Sequence, residues 1–148
     1  MSDPMNDELA AVFREVAAVL QYQGERWFKV RSYVQWADQL ETLDRPVTQL
    51  SDAELHALPG VGKAIFSKTR EYVADKRFNL LDRVRTVDAG IRGLLTAGLA
   101  PGAVKKLEDE LGITSLETLR QKHADQTLDL SKIPTRQRNE IRAFLNAQ

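Results

Sequence analysis

The stretch Leu58-Pro59-Gly60-Val61-Gly62-Lys63-Ala64-Ile65 decides how this chain is read. Two glycines flank one aliphatic residue, a proline precedes them, and an amphipathic segment follows with Ile65, Thr69, Tyr72 and Val73 at helical spacing. Glycine at the first position supplies the positive φ that reverses a chain, and a residue without bulk at the third lets another backbone approach a helix start. The free N–H groups of that start, with the helix dipole behind them, suit an anion such as a nucleic-acid phosphate. Contacts of that kind position a protein on DNA without reading its sequence.

The segments on either side are helical. Ser51-Asp52-Ala53-Glu54 is a capping box opening a short helix to about Ala57, immediately before the turn. Upstream, the spacing predicts a helix capped by Asn6 with Leu9, Val12, Phe13, Val16, Ala17 and Leu20 inward, ended by Gly24. A second runs from about Lys29 to Leu43 with Val30, Tyr33, Trp36, Ala37 and Leu40 inward, and Asp44-Arg45-Pro46 breaks it. The helix after the turn spans roughly Lys63 to Asp75. Beyond Phe78, Leu81 and Val84 precede a weak stretch at Asp88-Ala89-Gly90 that predicts a break, then Ile91, Leu94 and Leu95 resume the pattern. Gly98-Leu99-Ala100-Pro101-Gly102 turns into a helix carrying Val104, Leu107 and Leu111 and stopped by Gly112. Thr114-Ser115-Leu116-Glu117 reads as a second capping box, starting a helix to about His123. The last helix begins near Pro134 or Thr135 and carries Ile141, Phe144 and Leu145. No useful strand alternation occurs. The expected fold is all-α, two small helical subdomains over residues 1–86 and 87–148, each containing a helix-hairpin-helix.

That duplication is the strongest pattern in the chain. Gly98-Leu99-Ala100 repeats Gly60-Val61-Gly62 at an offset of 38 residues, with a short helix before and an amphipathic helix after each. The second copy is the weaker site, because Ala100 replaces a glycine and Pro101 removes a donor N–H, although proline suits a helix's first turn. Candidate DNA contacts are Gly60, Val61, Gly62, Lys63, Lys29 and Arg70 around the first turn, and Gly98, Ala100, Gly102 and Lys105 around the second. Arg70 is seven residues from Lys63 and belongs on the same outer side. Ile133-Pro134-Thr135-Arg136-Gln137-Arg138 has an aliphatic-proline start without the glycines; it reads as a degenerate third hairpin, or as a terminal helix kept soluble by Arg136, Arg138 and Arg142.

Formal net charge is zero, but the charges are segregated. Residues 1–25 carry Asp3, Asp7, Glu8, Glu15 and Glu25 against Arg14. Residues 57–86 carry Lys63, Lys68, Arg70, Lys76, Arg77, Arg83 and Arg85 against Glu71, Asp75 and Asp82, and Arg26, Lys29 and Arg31 form a further basic cluster. This predicts a basic face on a neutral protein. The chain has no cysteine, which removes disulfides and thiolate chemistry and fits a reducing compartment. The acidic start leads into no long apolar run, so the expectation is a cytoplasmic protein, nucleoid-associated if bacterial, with no membrane partner.

In order, Trp27-Phe28-Lys29-Val30-Arg31-Ser32-Tyr33, Leu58-Pro59-Gly60-Val61-Gly62-Lys63-Ala64-Ile65-Phe66-Ser67-Lys68, Gly98-Leu99-Ala100-Pro101 and Leu111-Gly112-Ile113-Thr114-Ser115-Leu116 resemble the amino-terminal part of X-family DNA polymerases. The resemblance spans nearly the whole chain and implies a lyase-type helix-hairpin-helix domain followed by a fingers-type subdomain, gripping the two duplex sides of a gapped DNA. It implies a Schiff-base lyase acting on a 5′-deoxyribose phosphate, with Lys68 as nucleophile, Tyr33 as support and Lys29 on the 5′-phosphate. Lys68 also lies at the edge of the apolar stripe, where partial desolvation favours the neutral amine that such attack requires. Two departures stand out: Ala64 and Leu80 occupy positions where the family commonly has phosphate-binding lysines, with Lys63 and Arg77 near enough to substitute.

The resemblance further implies a structural Na or K ion held by backbone carbonyls of His56, Leu58 and Val61, and of Leu94, Thr96 and Leu99; no other cofactor is expected. Polymerisation is not expected, since no Asp-x-Asp pair or palm follows. The implied partners are gapped, nicked or ended DNA and a DNA repair protein. The competing reading is a helical protein-interaction module, or a non-catalytic accessory factor, using the hairpins only as packing turns. An exposed aromatic patch around Trp27, Phe28 and Trp36 would favour it.

Overall fold

In the computed structural model, which describes residues 3–148, the first helix α1 (Pro4–Tyr22) is capped by Asp3, whose side chain accepts from the N–H groups of Met5 and Asn6. The expected cap, Asn6, lies inside the helix and is fully buried. Its amide donates to the Arg45 carbonyl at 2.9 Å and accepts from the Val47 N–H at 2.8 Å. A residue read as a cap is therefore a clamp on the chain that follows the second helix.

The remaining elements are α2 (Trp27–Thr42), a 3-10 turn (Val47–Gln49), α3 (Asp52–His56), α4 (Lys63–Asp75), α5 (Asn79–Val84), α6 (Ala89–Thr96), α7 (Pro101–Leu111), α8 (Leu116–Ala124) and α9 (Thr135–Asn146). No strand occurs among the described residues. The Ser51 capping box is formed as expected, with Ser51 and Glu54 each receiving the other's backbone N–H. Two other expectations need correction. Asp88-Ala89-Gly90 is a helix start, since the Asp88 side chain accepts from the Ile91 N–H, and the absent apolar side chain at Gly90 reflects close packing. A β-carbon there would lie 2.2 Å from the Thr114 carbonyl oxygen. The cap of α8 is Ser115, one residue later than read, and it receives the Thr118 N–H.

α1 organises the core. Leu9, Ala10, Val12, Phe13, Val16, Ala17 and Val19 are all buried, a wider arc than the one-sided stripe expected, because α1 packs on α2 and also on α5, α6 and α7. The expected division at residue 86 falls in the connection between α5 and α6, and one apolar cluster runs across it, from Leu9 through Leu55 to Ile141 and Leu145. Phe13 stacks on Tyr33 at 6.0 Å and on Phe78 at 5.7 Å between ring centres, setting α2 and the start of α5 on either side of α1. The Trp36 indole donates to the buried Thr69 hydroxyl at 3.1 Å, which locks α2 onto α4.

Candidate nucleic-acid interface

The first turn is built from one buried anchor and open glycines. Val61 is buried and its N–H donates to the Leu58 carbonyl at 3.2 Å, which closes the turn. That bond uses the Val61 donor within the turn. Gly60 has φ +79°, a conformation that L side chains rarely adopt. Gly62 is the N-cap of α4 in extended backbone, and no side chain caps this helix. Nothing lies within 4 Å of where a β-carbon would stand at either glycine. The start of α4 thus faces open space with its first N–H groups unclaimed by side chains, and exposed Lys63 stands beside it.

The locking of α2 onto α4 through Trp36 and Thr69 carries Tyr33 and Lys68 to each other. Lys68 Nζ lies 6.0 Å from the centre of the Tyr33 ring, and both residues are half-buried. Burial raises the pKa of Tyr33, and the nearby Arg83 charge pulls against that rise. Lys29 is exposed one turn before Tyr33, and its nearest carboxylate, Glu25, is 4.0 Å away. The sequence-predicted group of Lys29, Tyr33 and Lys68 is thereby gathered on one side of the first half, with Lys63 at the adjacent hairpin.

The basic run of residues 57–86 is largely neutralised by partners the sequence does not show. Arg70 donates to the Leu50 carbonyl at 2.7 Å, sits 3.2 Å from Asp52 and covers the Phe66 ring, so it braces the start of α3 where a free outer cation was expected. Lys76 pairs with Glu8 at 2.7 Å, Arg85 pairs with Glu15 through two nitrogens, and Arg77 is tied to Asp82. Arg77 is therefore engaged where it was expected to substitute for a phosphate-binding lysine. Lys63, Lys68 and Arg83 are the cations of this run with no carboxylate within 4 Å among the described residues. Arg83 comes near Tyr33 because Phe13 stacks on both Tyr33 and Phe78 and so ties the start of α5 to α2, a proximity that neighbouring residues in the sequence do not show.

The second turn is more closed. The Gly98 N–H donates to Leu95 and the Leu99 N–H to Leu94, so the donors of this turn are used internally. Gly98 has φ +104°, Ala100 is the N-cap of α7 without a side-chain cap, and Pro101 opens the helix. Gly102 is exposed in the first turn of α7. Lys105 lies 3.5 Å from both Glu108 and Asp109 and over the Tyr22 ring, so this expected DNA contact is internally compensated.

Backbone oxygens of the two turns fit the expected monovalent-ion positions unevenly. The Leu58 and Leu94 carbonyls accept N–H groups of their own turns, whereas those of His56, Val61, Thr96 and Leu99 accept none of the turn and cap hydrogen bonds among the described residues. No cluster of His, Cys, Asp or Glu able to hold a metal occurs among them. His56 stacks its ring on Phe66 at 3.9 Å. Of the three aromatics expected to share a patch, Trp27 and Phe28 are 53% and 58% exposed, but Trp36 is buried at 2%. No helix among the described residues is long and apolar enough to cross a membrane.

Two hairpin turns, each entered by a short capped helix and left by an uncapped amphipathic one, define an all-α protein of the helix-hairpin-helix class. The helix-hairpin-helix domain model matches residues 4–78, half of the chain, and the chain belongs to that family. Over 116 residues it is 28% identical to the DNA polymerase/3'-5' exonuclease PolX of Bacillus subtilis (strain 168). That stretch takes in 77% of this chain and 20% of the relative, so the chain spans about a fifth of the relative's length. Its helix-hairpin-helix region corresponds to the amino-terminal one of X-family DNA polymerases.

Proposed function

We propose that the chain binds the DNA backbone without reading sequence, at ends, nicks or gaps, in a DNA repair setting. The observation that carries this reading is the first hairpin, with its open glycine turn, its uncapped α4 start and the uncompensated Lys63 beside it. Titration of the chain against gapped, nicked and intact duplex at two salt concentrations tests it. Binding is expected to weaken steeply with salt, because each phosphate contact releases counterions. Salt-independent binding, or none, would overturn it.

The second half of the reading is a 5′-deoxyribose phosphate lyase activity at Lys68. Its amine would add to the C1′ aldehyde of the open sugar and lose water to give an imine. Loss of a C2′ proton would then break the C3′–O bond, expelling the 3′-phosphate, and water would release the sugar from Lys68. Tyr33 walls one side of Lys68, and Lys29 and Arg83 are the cations available to the substrate phosphate. Borohydride should trap a covalent adduct with the wild type and none with Lys68→Ala; an adduct that survives that change would place the chemistry elsewhere. Backbone carbonyls of His56, Leu58 and Val61, and of Leu94, Thr96 and Leu99, would hold a Na or K ion that steadies each turn, Leu58 and Leu94 through the lone pair their N–H partner leaves free.

A second reading draws on Trp27 and Phe28, adjacent large apolar side chains that lie more than half exposed. They suit docking of another protein, for which the DNA-binding chain would be an accessory factor. Trp27→Ala with Phe28→Ala should then abolish that association and leave DNA affinity unchanged.

A further inference from the structure

The segment from α8 to α9 repeats the construction of the first hairpin. The Ile133 N–H donates to the Leu130 carbonyl at 3.0 Å, just as Val61 donates to Leu58. Leu130 and Ile133 are buried, as Val61 is. Pro134 takes the place of Gly62, and α9, like α4, has no side-chain cap. Lys132 stands where Gly60 stood, without a positive φ, so the turn is made with neither glycine and the sequence signal for it is faint.

This third turn lies against the second. α7 and α9 pack together, and a β-carbon at Gly102 would lie 3.7 Å from the Gln137 Nε2. The charges of the two turns differ. Lys105 beside the second is matched by Glu108 and Asp109. Lys132 and Arg136 are exposed and Arg138 half-buried, and none has a carboxylate within 4 Å among the described residues; the Arg138 guanidinium donates to the Thr135 hydroxyl at 3.2 Å. Three cations without an ion-pair partner among the described residues thus stand on this turn, anchored by buried aliphatic residues, and on the first turn of α9, with Asp129 the carboxylate near Lys132 and with Lys105 of the adjacent hairpin neutralised. A surface of several spaced cations complements a repeating polyanion better than a single acidic side chain.

We propose that Lys132, Arg136 and Arg138 form a third contact with the phosphate backbone, so that α7 and α9 grip one duplex together. This rests on the DNA-binding reading above and goes beyond it by assigning the duplex grip of the carboxy-terminal half to a surface outside the glycine turns.

The full chain and three variants, titrated with blunt duplex over a range of salt, test the proposal. Arg136→Gln with Arg138→Gln removes two phosphate contacts, so the slope of log affinity against log salt should fall by about two, with affinity at low salt reduced on the order of tenfold or more. Arg120→Gln with Lys122→Gln removes the same charge from α8 and should leave the slope unchanged. Equal losses in the two double variants, or a slope unchanged by the first, would overturn the third contact, and the surface would then fit an acidic protein segment. Lys63→Gln separates this from the broader reading. If Lys63→Gln lowers the slope and the α9 variant does not, DNA binding stands and the third contact falls; if the wild type binds gapped or nicked but not blunt duplex, the third contact alone falls, and if it binds none of them, both fall.

Discussion

Asn6 shows how one buried polar side chain can join segments that the local sequence treats separately. Both of its hydrogen bonds go to backbone about forty residues away, at Arg45 and Val47. Asn6→Ala leaves the partner carbonyl and N–H without their amide, and unmet buried groups cost about 1–3 kcal/mol each. The variant should lose about 2–4 kcal/mol of unfolding free energy with the denaturant slope unchanged; a loss below about 0.5 kcal/mol would mean that water replaces the clamp. Gly90 offers a test of opposite sign to helix propensity. In an open helix, Gly→Ala gains about 1 kcal/mol. Here the new methyl would meet the Thr114 carbonyl, so Gly90→Ala should destabilise by about 1–3 kcal/mol in the same measurement.

At the scale of elements, the hairpins were legible because their signals are local. The limits of α4, the Ser51 box and the Gly112 stop were all present in neighbouring residues. What the sequence concealed depended on distant partners. Glu8 meets Lys76, and Glu15 meets Arg85, across α1 and the α4–α5 region, so a run read as a basic face retains three cations without carboxylate partners. The same cause hid Arg83, whose neighbour Tyr33 is fifty residues earlier in the chain. Lys63 and Lys76 count equally in composition but should differ in function. Lys63→Gln should lower the salt slope of DNA binding by about one, whereas Lys76→Gln should leave it unchanged. Equal effects would show that the ion pair with Glu8 does not withhold Lys76 from phosphate.

Over the whole molecule, α1 sets the two halves relative to each other, and its outer contacts are polar. The Tyr22 hydroxyl donates to Glu108 of α7 at 2.6 Å, and the Tyr72 hydroxyl of α4 donates to Glu8 at 2.6 Å. A cleft of about 560 Å³ opens beside the second tie, lined by Glu8, Glu15, Tyr72, Arg85, Thr96 and Gly98, so it reaches the second hairpin. Burial and then the hydrogen-bonded carboxylate push both tyrosines up to about 12, from an ordinary value of 10.0. The folded state therefore holds these protons more tightly than the unfolded chain does. Their contribution to stability is complete below about pH 10 and disappears as the pH climbs through about 12. Ultraviolet titration should show all three tyrosines ionising above the ordinary range, two of them, Tyr22 and Tyr72, near 12, with weakening of the α1–α7 seam as Tyr22 ionises. Tyr22→Phe keeps the ring under Lys105 and removes only the donor. It should abolish one late ionisation and make stability less sensitive to alkali, while the ordinary alkaline fall of the wild type persists through Tyr72. If both ionisations near 12 survive in Tyr22→Phe, the Tyr22–Glu108 bond does not hold α7 to α1, and the orientation of the second hairpin rests on the apolar core alone.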